Sequence, residues 1–384
     1  MKISKCILLL NALGIQDSGG LNVLKKVLQE CSLDVKNNYH IVCNNNMGII
    51  ALIAKYKDVN FFEFHLVENR GFLYRLYYEN FIFPQIIKNN NIELTYNFSG
   101  TSQFFSRVPQ LVKIQNLMFY SKNLDTAYLK SNKFFLWIKQ IYLKRLVFKN
   151  MSNRSKYLEV QSCHVQKYMA DFIRTDDKTF FIKSDINVEE NQFLESKRYD
   201  FKEKIKFLYI VGPHFEYTHK NFKDFTDAML LFSRLNIDFE INVTLTQAQL
   251  ESSPLWDISL SGKTNFLGYI SNQKEMDKLF CDNTILISTS IIETIGLHVV
   301  EAIKKGVLPI VPSEEYSYSV YGENIVTYEL FDGKSLLNTI LSIIKNKIDI
   351  RSNRLTLQTD LKNSENKKYK SIVDIFQKVI DVQK

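Results

Sequence analysis

The chain has 384 residues, 45% of them hydrophobic, and a formal net charge of +8 from 49 basic and 41 acidic side chains, enough length and apolar content for two domains with separate cores. No apolar run approaches the ~20 residues that cross a bilayer. Cys6, Cys31, Cys43, Cys163 and Cys281 are scattered, odd in number and without C-x-x-C spacing, which suggests neither a disulfide framework nor a zinc site and favours a reducing, cytoplasmic compartment.

The start, M-K-I-S-K-C-I-L-L-L-N-A-L-G-I, has the charged end and apolar stretch of a signal peptide. Asn11 interrupts the apolar run and no clear small-residue cleavage site follows, so Ile3 to Leu10 is read as a first strand. Asp17-Ser18-Gly19-Gly20 then leads into a helix over Leu21 to Cys31. Adjacent glycines let a backbone approach phosphate or sugar closely, although a Gly-Gly pair alone is ordinarily just a tight connection. Further strands are expected at His40 to Cys43, Val59 to Leu66, Ile92 to Ser99, Leu111 to Gln115, Tyr157 to Val160 and Phe180 to Lys183, with a helix over Phe72 to Lys88.

Between Lys122 and Lys149 the residues Lys130, Lys133, Lys139, Lys144, Arg145 and Lys149 interleave with Phe134, Phe135, Trp137, Ile138, Ile141, Tyr142, Leu146 and Phe148. This reads as one basic amphipathic helix. Its apolar side either packs on the N-terminal sheet or enters the headgroup region of an anionic membrane, where each Lys or Arg adds about 1 kcal/mol. Lys133, Trp137, Lys144 and Arg145 are the candidates for membrane or acceptor contact. Neither a recognised nucleic-acid-binding module nor a second basic stripe accompanies them, so no nucleic-acid partner is expected.

A polar, charged stretch from Asp185 to Glu203 has the composition of a linker. Strands resume at Ile205 to Val211, Phe239 to Leu245, Thr264 to Leu267, Thr284 to Ser288 and Leu308 to Val311. Alternating strands and helices on both sides of the linker predict two doubly wound parallel α/β domains. The expected boundaries are a Rossmann-like domain over 1–184, a linker over 185–203 and a second Rossmann-like domain over 204–384. The C-terminal helix is a candidate to pack back on the first domain.

The most informative segment is I-I-E-T-I-G-L-H-V-V-E-A-I-K-K-G, Ile291 to Gly306. It follows a buried strand, so Glu293 lies in a loop at the C-terminal sheet edge where open α/β sheets bind ligands. Gly296 opens a helix running from Leu297 to Lys305, and Gly306 can take the left-handed stop position. The first amides of that helix lack internal partners and carry partial positive charge, so a diphosphate can lie against Gly296 and Leu297, with Thr294 close by. Glu301, over a turn further on, can accept from both hydroxyls of a ribose. An isolated glutamate pair near a helix start ordinarily does no more than favour the dipole.

The whole string resembles the E-x-F-G-L-x-x-x-E-A-x-x-x-G segment of GT-B glycosyltransferases of the retaining family four type, followed by the P-I-V-P-S strand of Pro309 to Ser313. That resemblance implies two Rossmann-like domains facing a central cleft, the first on the acceptor side and the second binding a nucleotide diphosphate sugar. V-G-P-H-F-E-Y-T-H-K-N-F, Val211 to Phe222, is similar to the family's loop whose lysine binds the leaving diphosphate, and Lys220 is the matching residue, between His219 and Asn221. Gly19 and Gly20 match the family's N-terminal glycine loop. The resemblance thus implies catalysis by Glu293 and Lys220, with Gly19, Gly20, His219, Asn221, Thr294, Gly296, Leu297 and Glu301 at the donor.

The chain departs from the family pattern at Gly212-Pro213, where many relatives carry Gly-Arg; His214 or His219 is a candidate to compensate. The family's N-terminal-domain histidine is also unmatched, since Ser99-Gly100 and Gln115-Asn116 stand at the candidate positions. No D-x-D triplet occurs, which predicts transfer without a metal or other cofactor. The expectation is a retaining hexosyltransferase of bacterial O-antigen or capsule biosynthesis. It would act on an undecaprenyl-diphosphate-linked glycan at the inner face of the cell membrane, as a peripheral protein. A nucleotide-sugar epimerase and a non-catalytic sugar-nucleotide-binding scaffold are the competing functions.

Overall fold

The computed structural model describes residues 5–15, 18–68, 70–98, 100–183, 185, 193, 197–270, 272–345, 350–366 and 369–383. Two compact units result, one of Met1–Tyr120, Phe135–Asp185 and Lys368–Lys384 and the other of Ser121–Phe134 and Ile186–Lys367.

Unit 1 is built on seven parallel strands: β1 (Cys6–Ala12), β2 (Asn37–Asn44), β3 (Phe62–Val67), β4 (Leu94–Asn97), β5 (Gln110–Ile114), β6 (Tyr157–Val160) and β7 (Thr179–Ile182). Their order is β3-β2-β1-β4-β5-β6-β7. Consecutive Leu8, Leu9 and Leu10 are all fully buried, as a strand covered on both faces requires. Leu8 and Leu10 enter one core with the Ser18–Ser32 helix, and Leu9 enters another with Phe83 and Ile87.

The C-terminal helix Ile372–Asp381 belongs to this unit. Its buried residues Ile372, Ile375, Phe376, Val379 and Ile380 follow helical spacing and join the core beside the Ser18–Ser32 helix, with Phe376 edge-on to Tyr96 at 5.2 Å. Below it lies a buried charge network. Lys113 Nζ donates to Glu159 at 2.6 Å and to Asp185 at 2.9 Å, and Lys183 Nζ to Glu30 at 3.0 Å.

Two helical segments depart from simple α geometry. The expected Phe72 to Lys88 helix is present as Phe72–Tyr77, a π turn over Tyr78–Ile82 and Phe83–Asn89. Pro84 has no N–H and its ring would strike the carbonyl four residues back, so the wider turn absorbs it and the Phe83 amide reaches the Tyr78 carbonyl. The single helix expected over Lys122 to Lys149 is broken. Lys122–Lys130 ends where Asn132 turns left-handed, at φ 54°, and the chain resumes as Phe134–Trp137, a π turn over Ile138–Tyr142, and Leu143–Arg154. The first piece lies in unit 2 and the last two in unit 1.

Unit 2 carries six parallel strands: β8 (Ile205–Tyr209), β9 (Phe239–Val243), β10 (Thr264–Phe266), β11 (Thr284–Ile287), β12 (Leu308–Pro312) and β13 (Val326–Tyr328), in the order β10-β9-β8-β11-β12-β13. β13 was not among the expected strands. Phe207, Phe232 and Phe239 form an aromatic centre with ring separations of 5.1 to 5.9 Å. Most of the expected linker falls outside the described residues. The part that is described is bound down: the Asp200 amide donates to Asn283 at 2.6 Å, and buried Arg354 caps both the Lys197 and Gly306 carbonyls at 2.7 Å.

Among the described residues no helix is long and apolar enough to cross a membrane. Truncating a buried Phe typically costs about 3–5 kcal/mol. Phe376→Ala is therefore expected to weaken unit 1 by about that amount. Unit 1 holds Trp137 and unit 2 Trp256, the two tryptophans of the chain, so urea unfolding followed by Trp137 fluorescence in a Trp256→Phe background reads unit 1 separately.

Candidate active site

In unit 2 the strand order reverses beside β8, which has β9 on one side and β11 on the other. The chain leaves β8 and β11 at the same sheet edge, and connections there turn to opposite faces, opening a crevice. The loop after β8 contains Lys220; the loop after β11 contains Glu293.

Lys220 ends a short 3₁₀ turn, Thr218–Lys220, fixed from several directions. Its carbonyl accepts from Thr289 Oγ1 at 2.8 Å, and Thr289 in turn meets the Tyr209 hydroxyl at 2.7 Å. The His219 carbonyl accepts from the Ile291 amide at 2.8 Å, which ties the two loops together. Asn221 then turns left-handed, φ 45° and ψ 42°, to start the Phe222–Phe232 helix. Its side-chain amide donates to buried Asp224 at 2.6 Å, and Asp224 also accepts from the Phe331 amide at 2.9 Å and the Tyr328 hydroxyl at 3.2 Å. Asn221 therefore shapes the turn from below. The Lys122–Lys130 helix packs against the same turn within unit 2.

The second loop ends at Gly296, the N-cap of the Leu297–Lys304 helix, with φ 64° and ψ 65°. A Cβ there would stand 2.2 Å from the Tyr321 hydroxyl, which is buried and donates to the Ile295 carbonyl at 2.8 Å. Glycine is thus required both by backbone conformation and by space. The Val299 and Val300 amides already bond the Gly296 carbonyl, which leaves the amides of Leu297 and His298 as the helix-end donors. The Leu297 side chain is exposed and Thr294 half-buried.

Lys220 Nζ donates to Glu293 Oε1 at 2.8 Å, with the lysine side chain 28% and the glutamate 18% exposed. Burial alone would raise the Glu293 carboxyl, but Lys220, His298 and a Ser290 hydrogen bond hold it down at about 2. His298 packs beside this carboxylate with Nε2 2.9 Å from Ser288 Oγ. Desolvation outweighs the pull of Glu293 and lowers the His298 ring to about 4. Burial and neighbouring Lys220 lower His219 likewise to about 4, and its Nδ1 is buried without a hydrogen-bond partner. At neutral pH the edge holds one ammonium, one carboxylate and two uncharged imidazoles.

Among the expected residues, His219, Lys220, Asn221, Glu293, Thr294, Gly296 and Leu297 therefore share one sheet edge. Glu301 lies on the same helix beyond them, half-buried, its carboxyl raised by burial and by Asp277, with Lys304 and Lys305 opposing. Gly19 and Gly20 belong to unit 1, in the first turn of the Ser18–Ser32 helix. His214 is exposed and stacks on Tyr217 at 4.8 Å. Arg145 does not join an exposed basic face: it is 9% exposed, donates to the Phe119 carbonyl at 2.6 Å and covers the Phe172 ring at 4.6 Å. Lys144 is exposed, and Lys133 and Trp137 half-buried. His298 and Tyr321 went unnoticed in the sequence. His298 stands inside the recognised string, two residues after Gly296, so its place at a helix start was the available signal; Tyr321 had none.

No protein-family model matches the chain, and neither does any curated protein. Solved structures do. Anabaena HepE in complex with UDP-glucose is 13% identical, with 99% of each chain covered and a TM-score of 0.62. Sucrose-phosphate synthase from Thermosynechococcus elongatus is 13% identical over 94% of this chain and 95% of that one, TM-score 0.63. The chain has the GT-B fold. The lipopolysaccharide outer core galactosyltransferase WaaB, in its apo form, shares this GT-B architecture at 13% identity over 94% of this chain and 99% of that one, TM-score 0.59.

The two lowered histidines give the second GT-B domain a definite acid response. Both stay neutral when folded down to about pH 4, whereas the unfolded chain protonates them through their ordinary 6.5. The unfolded state then binds more protons, so their contribution to stability falls as pH drops from 6.5 to 4. Asp224, raised by burial from 3.8 to about 6, acts oppositely, because its folded carboxyl keeps a proton that the unfolded chain releases. For these three groups together the expectation is a decline of about 1.4 kcal/mol per pH unit between about pH 6 and 4.5. Urea titrations of Trp256 fluorescence across this range measure it, and Asp224→Asn should steepen the slope.

Proposed function

We propose that the protein is a glycosyltransferase that moves a hexose from a nucleoside diphosphate sugar to a glycan acceptor, without a metal and with retention of configuration. The observation that carries this reading is the Lys220–Glu293 pair beside the left-handed Gly296 turn at the reversal point of the unit 2 sheet.

In this reading the diphosphate lies against the Leu297 and His298 amides, with Lys220 beside it. As the bond to the anomeric carbon breaks, negative charge grows on the leaving diphosphate, and a fixed ammonium and helix amides favour that charge more than the ground state. His219 and His298, being neutral, serve as polar groups and not as cations. Glu293 stays ionised and accepts from the hydroxyls of the donor sugar, while Glu301 accepts from the ribose. The acceptor hydroxyl forms its bond to the anomeric carbon on the face the diphosphate leaves. HepE is in complex with UDP-glucose, which makes a UDP-hexose the first donor to offer this chain. Saturation-transfer NMR against a panel of nucleotide sugars, with EDTA present, tests for that donor.

The acceptor side is assigned to unit 1, at the ends of its first strands. A pocket of about 110 Å³ there is lined by Leu13, Asn44, Arg70, Tyr74, Arg75 and Tyr78. Arg75 is held by buried Glu79 at 2.8 Å, and Glu79 also accepts from Asn11 at 2.7 Å and from Thr101 at 3.0 Å. A lipid-linked glycan in O-antigen or capsule assembly is the acceptor we favour; an exposed surface of unit 1 that mixes apolar and basic side chains supports this reading. Leu136, Tyr142, Leu143 and Leu146 are 42–54% exposed around exposed Lys139, Lys144 and Lys149. Apolar side chains can enter the headgroup layer while lysines meet anionic lipid.

Glu301→Ala should weaken donor binding about tenfold or more. Glu293→Ala and Lys220→Met should lower turnover by about 10²–10³ while leaving donor binding closer to normal. Calorimetry and a donor-consumption assay separate the two effects; equal losses in both for all three variants would sink this division of roles, and donor turnover without acceptor would point to an epimerase. The intact protein should also float with vesicles containing anionic lipid, and the triple change Lys139→Glu, Lys144→Glu and Lys149→Glu should abolish it. Flotation indifferent to lipid charge would remove the membrane.

A further inference from the structure

We propose that His40, Glu63 and His65 form a zinc-binding site on the edge of the unit 1 sheet, separate from the transfer chemistry. His40 lies on β2, and Glu63 and His65 on β3. The parallel register sets His40 opposite Glu63, and Glu63 and His65 are two apart on one strand, so all three side chains leave the same face of the sheet. That face is the one carrying Val42 and Val67; the alternate residues Tyr39, Ile41 and Cys43 are committed to the core with the C-terminal helix.

The donor atoms have the spacing a four-coordinate ion requires. Nδ1 of His40 and Nε2 of His65 are 3.1 Å apart. The Glu63 carboxylate straddles them, Oε2 at 3.5 Å from His40 and Oε1 at 3.4 Å from His65. Ligands ~2.0–2.1 Å from a tetrahedral zinc stand about 3.3–3.4 Å from one another, so an ion above this triangle meets all three at bonding distance after shifts of a few tenths of an ångström. The two rings are near-parallel, 13° apart with centroids at 5.4 Å, and present their nitrogens side by side. Exposure rises from 10% for the His40 side chain through 27% for His65 to 60% for Glu63, so the ion has a path from solvent and a fourth position for water.

Two imidazoles and one carboxylate suit a borderline divalent ion, and zinc in particular, better than the all-oxygen sites that calcium and magnesium prefer. The physical effect would be a cross-strand staple. Among the described residues β3 is an edge strand paired with β2 alone, and five of its six residues are half-buried or exposed, Leu66 being 52% exposed. An ion ligated from both strands ties that edge down and occupies its open polar face.

The test is titration of the metal-free, full-length chain with Co²⁺, followed by displacement with Zn²⁺. One equivalent should bind, with the visible absorption of a four-coordinate nitrogen and oxygen site and without the near-ultraviolet thiolate band that any of the five cysteines would produce. Removing even an outer partner of a metal ligand costs about 10–100-fold in affinity, so His40→Ala and His65→Gln should each weaken binding at least about tenfold. Zinc should raise the unfolding temperature of the parent chain and leave both variants unmoved. Should a variant fail to fold, ring NMR of the parent decides: zinc must shift His40 and His65 and spare the other four histidines. No absorption change, a thiolate band, or unaltered affinity in the folded variants overturns the site.

Discussion

Everything assigned to unit 2 depends on one constraint of parallel sheets, the reversal of strand order beside β8. Since β9 lies to one side and β11 to the other, the connections leaving β8 and β11 must turn to opposite faces. Lys220 and Glu293 are 73 residues apart in the chain, yet they end 2.8 Å apart because each stands in the loop that follows one of these adjacent strands. The Ile291 to His219 backbone bond and the Thr289 to Lys220 bond close the arrangement.

The electrostatics of that edge follow from the burial. A carboxylate 18% exposed next to an ammonium remains ionised, whereas imidazoles in the same surroundings lose their proton, since desolvation penalises the cation more than one nearby carboxylate favours it. The edge is therefore not a general cationic patch. It offers one movable charge, Lys220, and a set of fixed dipoles at the Leu297 helix. Tyr321 makes those dipoles rigid: its hydroxyl sits where any side chain on residue 296 would go and holds the Ile295 carbonyl. The pair of Lys220 with Glu293 keeps both groups oriented.

Unit 1 manages charge differently. Lys113 is paired with Glu159 and Asp185, and Lys183 with Glu30, near the ends of β5, β6 and β7, where leaving any partner alone would be costly. Asp185, drawn low by Lys113 despite its burial, is also the last residue of the unit before the chain crosses over. The network thus fastens the exit of the chain to the sheet. At the opposite edge, β3 pairs with β2 alone among the described residues, and there the polar residues His40, Glu63 and His65 gather on one face.

Apolar runs, their alternation with helical patterns, and the glycines flanking Leu297 to Lys305 were sufficient to read twelve of the thirteen strands among the described residues, the two α/β domains and the loops that carry Lys220 and Glu293. These are local features, because burial on both faces and a helix start each leave their mark within a few residues. Local pattern failed where a distant partner decided the outcome. Whether Lys122 to Lys149 was one helix turned on a left-handed Asn132 and on which unit each half packs against. Arg145 looked like part of a basic face until Phe119 and Phe172 claimed it. The neutrality of His219 and His298, the reason position 296 must be glycine, and the meeting of His40 with Glu63 and His65 all arise between residues far apart in sequence. Strand register and burial bring such groups together, and neither is written in the spacing of residues along the chain.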